Sequence, residues 1–218
     1  MNIISKVDKS LVDRINSEVY TDDKKTFKVS DKITIDWKGV LPEPPINTSE
    51  ETIKELEYLA KLTKNVSAAQ KNLIYLVDNE PLDLYNDILR QHNLEMPKKD
   101  FNRLWRMTKP VIMNLKYKFN RPRPEQLAKY YGLKINVLET KTHHTPAYPS
   151  GHTSYAAMGA YLLAEKYPKY SSSFFKRIGD AGLARCLQGV HYPSDNEAAM
   201  VISGAIWQDV RYKLFPNL

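Results

Sequence analysis

The sequence predicts an all-α, single-domain helical bundle with an irregular N-terminal arm. From Thr48 onward, apolar residues recur at the three- and four-residue intervals of helices. Several of these segments open on a serine or threonine, the residue types that favour a helix N-cap. Strand-like alternation is confined to the arm and to Lys134–Val137. A length of 218 residues suits one domain, so we divide the chain into an arm or lid (1–47) and a helical domain that carries the functional site (48–218).

Each helix is predicted from its own start and stop signals. The arm ends in a proline-rich stretch, Pro42 to Asn47, and a capping box is expected at Thr48–Glu51. A second helix starts at Ser67, and Pro81 is expected to break or kink it. The remaining helices are expected after Asp100 with a kink at Pro110, from Pro124 to near Gly132, from Ser150 to Ala164, from Phe174 to about Leu187, and after a capping box at Ser194–Glu197.

The composition favours an anionic partner. Lys and Arg number 32 against 25 Asp and Glu, which leaves a net charge of +7 and a pI near 9.2. Phosphorylated metabolites, nucleic acid and an acidic membrane surface all remain open. The single cysteine, Cys186, excludes an internal disulfide and a cysteine-based zinc site. The sequence shows no signal-peptide apolar region and no apolar run long enough for a membrane span, which predicts a protein that is cytoplasmic or otherwise soluble.

A first candidate segment runs from Lys116 to Pro124. Lys116 lies near the end of an apolar-faced helix, and Arg123 follows in a chain that two prolines stiffen. Taken alone, this stretch predicts a solvated cationic loop. Because basic and aromatic residues alternate in it, contact with nucleic acid is also open.

A second segment, Pro149-Ser150-Gly151-His152, turns the chain directly into a helix. A helix N-terminus offers unpaired N–H groups and the positive end of a dipole, which together attract anions. Ser150 adds a hydroxyl, Gly151 permits close backbone approach, and His152 can place a proton donor beside a bound group. The alternative is that Ser150 only caps the helix and His152 is a surface residue.

A third segment runs from Arg185 through His191 to Asp195. We expect Asp195 to accept a hydrogen bond from one imidazole nitrogen of His191, which leaves the other nitrogen free to attack. The alternative explanation for Asp195 is that a carboxylate is favoured at a helix N-terminus.

In order and spacing, the three segments resemble the signature of the type-2 phosphatidic acid phosphatase superfamily. Its members include soluble bacterial class A acid phosphatases, membrane lipid phosphatases and vanadium haloperoxidases. The similarity covers Lys116 to Asp195, and the soluble acid phosphatases fit best. One departure is Ala184, where the family commonly has serine.

The resemblance implies a helical bundle of the acid phosphatase and haloperoxidase type and a role for each signature residue. His191 would attack phosphorus to give a phosphohistidine, Asp195 would orient it, and His152, protonated, would donate to the leaving group. Phosphate binding would fall to Lys116, Arg123, Ser150, Gly151 and Arg185. No metal and no cofactor are expected, because cationic side chains replace the metal.

Two weaker candidates and two rival functions remain at this stage. His143 and His144 are candidates for the rim of the pocket, against a plain loop. A vanadate-dependent haloperoxidase would use the same residues to hold vanadate, and a non-enzymatic basic module would bind nucleic acid. Among phosphatase substrates, the sequence leaves phosphomonoesters and diphosphates open. Peripheral membrane contact and the oligomeric state are also open.

Overall fold

The computed structural model describes residues 8–18, 26–140 and 142–216, and every regular element within those ranges is helical. The α-helices are α1 (Lys9–Glu18), α2 (Glu50–Leu62), α3 (Ala68–Asn79), α4 (Asn86–Gln91), α5 (Lys98–Phe119), α6 (Pro124–Ala128), α7 (Gly151–Lys166), α8 (Ser171–Leu187) and α9 (Pro193–Leu214). Short 3-10 turns occupy Pro81–Tyr85, Lys129–Tyr131 and Pro168–Tyr170. The all-α prediction is confirmed, and the strand-like pattern at Lys134–Val137 forms no strand.

The helix starts show which capping signals the chain uses. The capping box of Ser67 and Gln70 is present at α3. At α2 the prediction is wrong by one residue, because Ser49 and not Thr48 caps the helix, with its side chain accepting from the backbone N–H of Thr52 at 3.1 Å. Helix α9 starts at Pro193, so the predicted cap at Ser194 lies inside the first turn.

Two prolines that were expected to disturb helices act differently. Pro81 follows the end of α3 and opens a 3-10 turn, which separates α3 from α4. Pro110 lies within α5, and the helix continues through it to Phe119. This continuity matters for the site, because it keeps residues on both sides of Pro110 on one helical face.

Helix α7 is the centre of the bundle. Its side chains are buried almost all round, including Ala156, Met158, Ala160 and Leu163 at 0% exposure, as expected for a helix enclosed by others. Helices α5 and α9 pack on it through one core cluster, α8 packs on it through a second, and α3 packs against α8. Of the helices described, none combines the length and the apolar character needed to cross a membrane.

The described part of the arm contains one helix, α1, where an irregular chain was expected. The arm also packs on the helical domain. The backbone N–H and side-chain hydroxyl of Thr34 donate to the carboxylate of Asp209 on α9. Asn114 on α5 exchanges two hydrogen bonds of 2.8 Å with the backbone of Phe27. No described residue of the arm is among the residues that line the cavity at the three signature segments, and a role of the arm as a lid stays a prediction.

Candidate active site

The three signature segments meet at one cavity of about 460 Å³. The C-terminal end of α5 brings Lys116, the N-terminus of α7 brings Gly151 and His152, and the connection from α8 to α9 brings His191. Residues far apart in the chain therefore line one space, in the size range of a small-ligand site.

His191 is held in a fixed orientation at the floor of this cavity. It is 2% exposed, and its Nδ1 lies 3.0 Å from Oδ2 of the fully buried Asp195. The same carboxylate oxygen accepts from the backbone N–H of Tyr192 at 2.9 Å, which fixes the carboxylate in the first turn of α9. Burial, and next the charge of Arg123, lower the pKa of His191 well below its usual range. The imidazole is therefore neutral, with Nδ1 donating to Asp195.

A glycine allows the chain to reach His191. Gly189 has φ = +79°, and a Cβ there would lie 2.9 Å from Cγ2 of Ile135. Only glycine takes this left-handed conformation at little cost, and here it also avoids a collision. Arg185 precedes Gly189 in the chain and His191 follows it. The tight turn at Gly189 lets both residues line the same cavity.

Two buried cations face His191. Arg123 is 1% exposed, and its NH1 lies 2.6 Å from the carbonyl oxygen of Val190 and 2.9 Å from Nε2 of His191. Lys116 is 3% exposed and donates to the carbonyl oxygens of Pro146 and Ala147. Burial, followed by the charge of Arg123, lowers the pKa of Lys116 well below its ordinary value. This burial contradicts a solvated cationic loop at the first segment.

Arg185 has one partner that the sequence did not suggest. Its NH1 donates to Oδ1 of Asp78 on α3 at 2.6 Å, and also to the side chain of Gln188. Burial lowers the pKa of Arg185 to about 10, although Asp78 opposes this shift. Its Nε is buried without a hydrogen-bond partner. A buried, unsatisfied donor is costly, and here it lies beside a cavity.

His152 stands on the first turn of α7 and lines the same cavity as His191. Its Nε2 lies 3.9 Å from Oδ1 of Asp78. Burial, and next the charge of Arg185, lower the pKa of His152 to about 3, although Asp78 raises it. That His152 acts as a protonated donor during the reaction therefore stays a prediction. Burial disfavours the charged imidazole, and Arg185 and Lys116 repel a further positive charge.

Three residues predicted for the site or its rim, Ser150, His143 and His144, are not among the residues that line the cavity. Gly151 lines the cavity, whereas Ser150 is not among its lining residues. The Ser150 side chain caps α7, accepts from the Thr153 backbone N–H and contacts the Thr153 hydroxyl at 3.0 Å. His143 and His144 also lie outside the lining, with their rings 4.6 Å apart.

The sequence analysis missed an ionic support behind Asp195. Arg121 is 1% exposed and donates from NH1 to Oδ1 of Asp195 at 2.7 Å. Its NH2 donates to Glu55 on α2 at 2.9 Å, and Glu55 also accepts from the backbone and side chain of Ser194. The Arg121 guanidinium also stacks 3.8 Å over the Tyr192 ring. Glu55 and Asp78 lie on helices that precede the signature. In the sequence of those helices nothing distinguishes them from solvent-exposed acidic residues.

The donor set suits an anion more than a cation. Lys116, Arg123 and Arg185 line the cavity, while Asp78, the one acidic residue among the described residues of the lining, is paired with Arg185. Across the ranges described, no group of three or more His, Cys, Asp and Glu side chains is arranged to hold a metal ion.

The fold and the site together define a class of protein: an all-helical domain in which an oriented histidine lies beside buried basic side chains. The family model described as the PAP2 superfamily matches residues 107–217, just over half of the chain. The chain therefore belongs to the PAP2 superfamily, and the matched range contains all three signature segments.

Two curated proteins show a more local similarity. The non-specific acid phosphatase of Providencia stuartii is 35% identical over 69 residues, which is 31% of this chain and 28% of that protein. The non-specific acid phosphatase of Salmonella typhimurium is 35% identical over 60 residues, or 28% of this chain and 24% of that protein. The matches span less than a third of the length of either relative.

Proposed function

We propose that this chain hydrolyses phosphate esters, phosphomonoesters or diphosphates, without a metal or other cofactor and through a phosphohistidine at Nε2 of His191. One observation carries the proposal. A neutral imidazole is fixed through Nδ1 by Asp195, while its Nε2 faces buried cations at the floor of a cavity. This is the geometry of an oriented nucleophile beside an anion site. Membership of a superfamily whose relatives include non-specific acid phosphatases supports the same chemistry.

The cations would bind the phosphoryl oxygens. Phosphoryl transfer spreads negative charge over three equatorial oxygens, so fixed positive groups stabilise its transition state. Arg123 and Arg185 present planar forks, and Lys116 presents a point charge. The unpaired Nε of Arg185 gives one oxygen a specific donor. The N–H of Gly151, at the N-terminus of α7, would add another. Ser150 would contribute indirectly, because as the N-cap of α7 it holds the Gly151 N–H in position.

Attack by His191 requires the lone pair on Nε2. This nitrogen lies within hydrogen-bond distance of NH1 of Arg123, which donates to it. A bound phosphate would offer its oxygens to the same guanidinium and so free Nε2. The Nε2–P bond then forms while the ester P–O bond breaks. Asp195 stabilises the positive charge that develops on the ring, because it accepts from Nδ1.

His152 would manage the proton. In the first step it donates to the departing alkoxide oxygen, and in the second it accepts a proton from the attacking water as the Nε2–P bond breaks. A bound anion would supply a negative charge that raises the pKa of His152. Because His191 must be neutral to attack while His152 must be protonated to donate, the rate should have a bell-shaped dependence on pH.

A phosphate-release panel with EDTA present tests the proposal. The substrates are p-nitrophenyl phosphate, a nucleotide, a diphosphate and lysophosphatidate, and the wild type is compared with His191→Ala. His92→Ala, an exposed histidine outside the cavity, is the matched control. Release by the wild type and the control, but not by His191→Ala, is expected. Release that EDTA abolishes, or that His191→Ala retains, would refute the mechanism.

The same preparations test the two rival functions. A haloperoxidase would oxidise halide after vanadate loading and release no phosphate. A nucleic-acid-binding module would bind nucleic acid with a steep salt dependence that His191→Ala leaves unchanged. The burial of Lys116 and Arg123 argues against the second, because phosphate backbones bind exposed cations.

A further inference from the structure

The lining of the cavity includes apolar and aromatic side chains that the phosphate chemistry does not use. They are Trp105, Ile112 and Met113 on α5, together with Pro81 and Tyr155. The five residues are called the apolar wall below. A phosphoryl group held at the cationic floor would leave the wall uncovered, so the wall is available to the rest of the substrate.

The wall lies on the leaving-group side of the site. Tyr155 follows His152 by three residues on α7, so the two side chains share one helix face about one turn apart. His152 is the proposed donor to the leaving oxygen. The carbon atoms attached to that oxygen would therefore extend past His152 toward Tyr155.

The aromatic part of the wall is held rigidly. The rings of Trp105 and Tyr155 meet edge to face with centroids 4.8 Å apart and an interplanar angle of 78°. The fully buried Phe101 packs behind Tyr155 at 4.7 Å. Because their orientation is already fixed, these rings can pack on a flat apolar group without first being ordered.

One further cation stands at the outer part of the cavity. Lys109 follows Trp105 by one helical turn and precedes Lys116 by two, so it lies about 10 Å along α5 from the Lys116 position. It is exposed and lines the cavity. No described residue pairs with its ammonium group, whereas Arg185 on the cavity is paired with Asp78.

We infer that the site prefers phosphate monoesters whose leaving group carries an aromatic ring, and a second negative charge beyond it. The ring packs on Trp105 and Tyr155, and the second charge meets Lys109. This inference rests on the proposed phosphatase function, because it takes the leaving group to lie beside His152.

Substrates with nearly the same leaving oxygen separate ring binding from chemical reactivity. Ethyl phosphate and 2-phenylethyl phosphate both release a primary alkoxide, and only the second has a ring. We expect kcat/KM of the wild type to favour 2-phenylethyl phosphate by about tenfold or more, from burial of one ring. Trp105→Ala should reduce that preference to about twofold. Tyr212→Ala, which removes an exposed aromatic ring outside the cavity, should retain it.

The second charge is tested with 2-(4-carboxyphenyl)ethyl phosphate. We expect a further gain of about two- to fivefold over the uncharged ester at low salt, which Lys109→Ala should remove. Lys99→Ala is the control, since it removes an exposed lysine at the start of the same helix and outside the cavity.

Ratios between substrates on one preparation do not depend on how much of a variant is folded. If phosphate is released from all the esters and the wild type treats ethyl and 2-phenylethyl phosphate alike, the inference is wrong while the phosphatase function stands. A preference that Trp105→Ala leaves intact also overturns it. If the wild type releases no phosphate from any ester, the proposed function itself fails.

Discussion

Anion binding should drive proton uptake by His152. The pKa of this histidine is lowered to about 3, chiefly by burial and by Arg185. A dianion held by Lys116, Arg123 and Arg185 would offset those charges. Sulfate is a suitable probe because it stays dianionic over the useful pH range and cannot react.

The magnitude follows from the lowered pKa. Protonating His152 at about pH 6 in the empty protein costs about 4 kcal/mol, because three pH units separate the two values at about 1.4 kcal/mol each. A dianion about 4 Å away contributes about 8 kcal/mol at an effective dielectric constant of about 20. The attraction exceeds the cost, so binding should bring close to one proton to His152.

Calorimetry in buffers of different ionisation heat measures this proton directly. Sulfate is titrated into the wild type and into two matched variants, His152→Gln and His191→Gln, at about pH 6. We expect the wild type to take up about one proton more than His152→Gln does. His191→Gln should match the wild type. Sulfate affinity should also fall as the pH rises through the pKa of the bound form.

Two results would refute this reasoning. If uptake by the wild type equals that by His152→Gln, then His152 is not the group that the anion protonates. If uptake disappears in His191→Gln instead, the proton resides on the proposed nucleophile, and the assignment of roles to the two histidines is reversed.

Three further predictions follow from the contacts around the site. Asp195→Asn should slow phosphate release by about 100-fold or more, because the amide does not hold His191 in the attacking tautomer; sulfate binding should persist. Arg121→Met should cost about 3–5 kcal/mol in urea unfolding, since it removes the buried cation that pairs with both Asp195 and Glu55, and adding Glu55→Gln should recover part of that loss. Between about pH 6.5 and 3 the unfolded chain binds more protons than the folded one at His152. The contribution of His152 to the free energy of unfolding should therefore be complete above this window and should be lost as the pH falls through it. The free energy of unfolding of His152→Gln should fall less over the same range.

The helices were predictable where their signals are local. The Ser67 capping box and the N-cap at Ser150 appear where the sequence placed them. The start of α9 was misplaced because Asp195, and not Glu197, reaches back to the chain, accepting from the Tyr192 N–H. Helix α1 was missed because its apolar residues are few, and Val12 and Ile15 are buried through tertiary packing.

The site was predictable only as far as its motif extends. Lys116, Arg123, Gly151, His152 and His191 line one cavity, and their fixed order and spacing identified them in advance. The carboxylates of Asp78 and Glu55 carry no such signal, because their partners are brought to them only by packing between helices. The same holds for the low pKa of His152, which depends on charges from other segments.

The two carboxylates on α2 and α3 have a consequence for how this chain can be divided. The matched range 107–217 contains the four buried basic residues of the site, Lys116, Arg121, Arg123 and Arg185, but neither Glu55 nor Asp78. A fragment cut to that range would keep the whole signature but lose the carboxylates that pair with Arg121 and Arg185. Any excised or transplanted catalytic unit must therefore include both preceding helices, so the smallest transferable module is larger than the motif that identifies it.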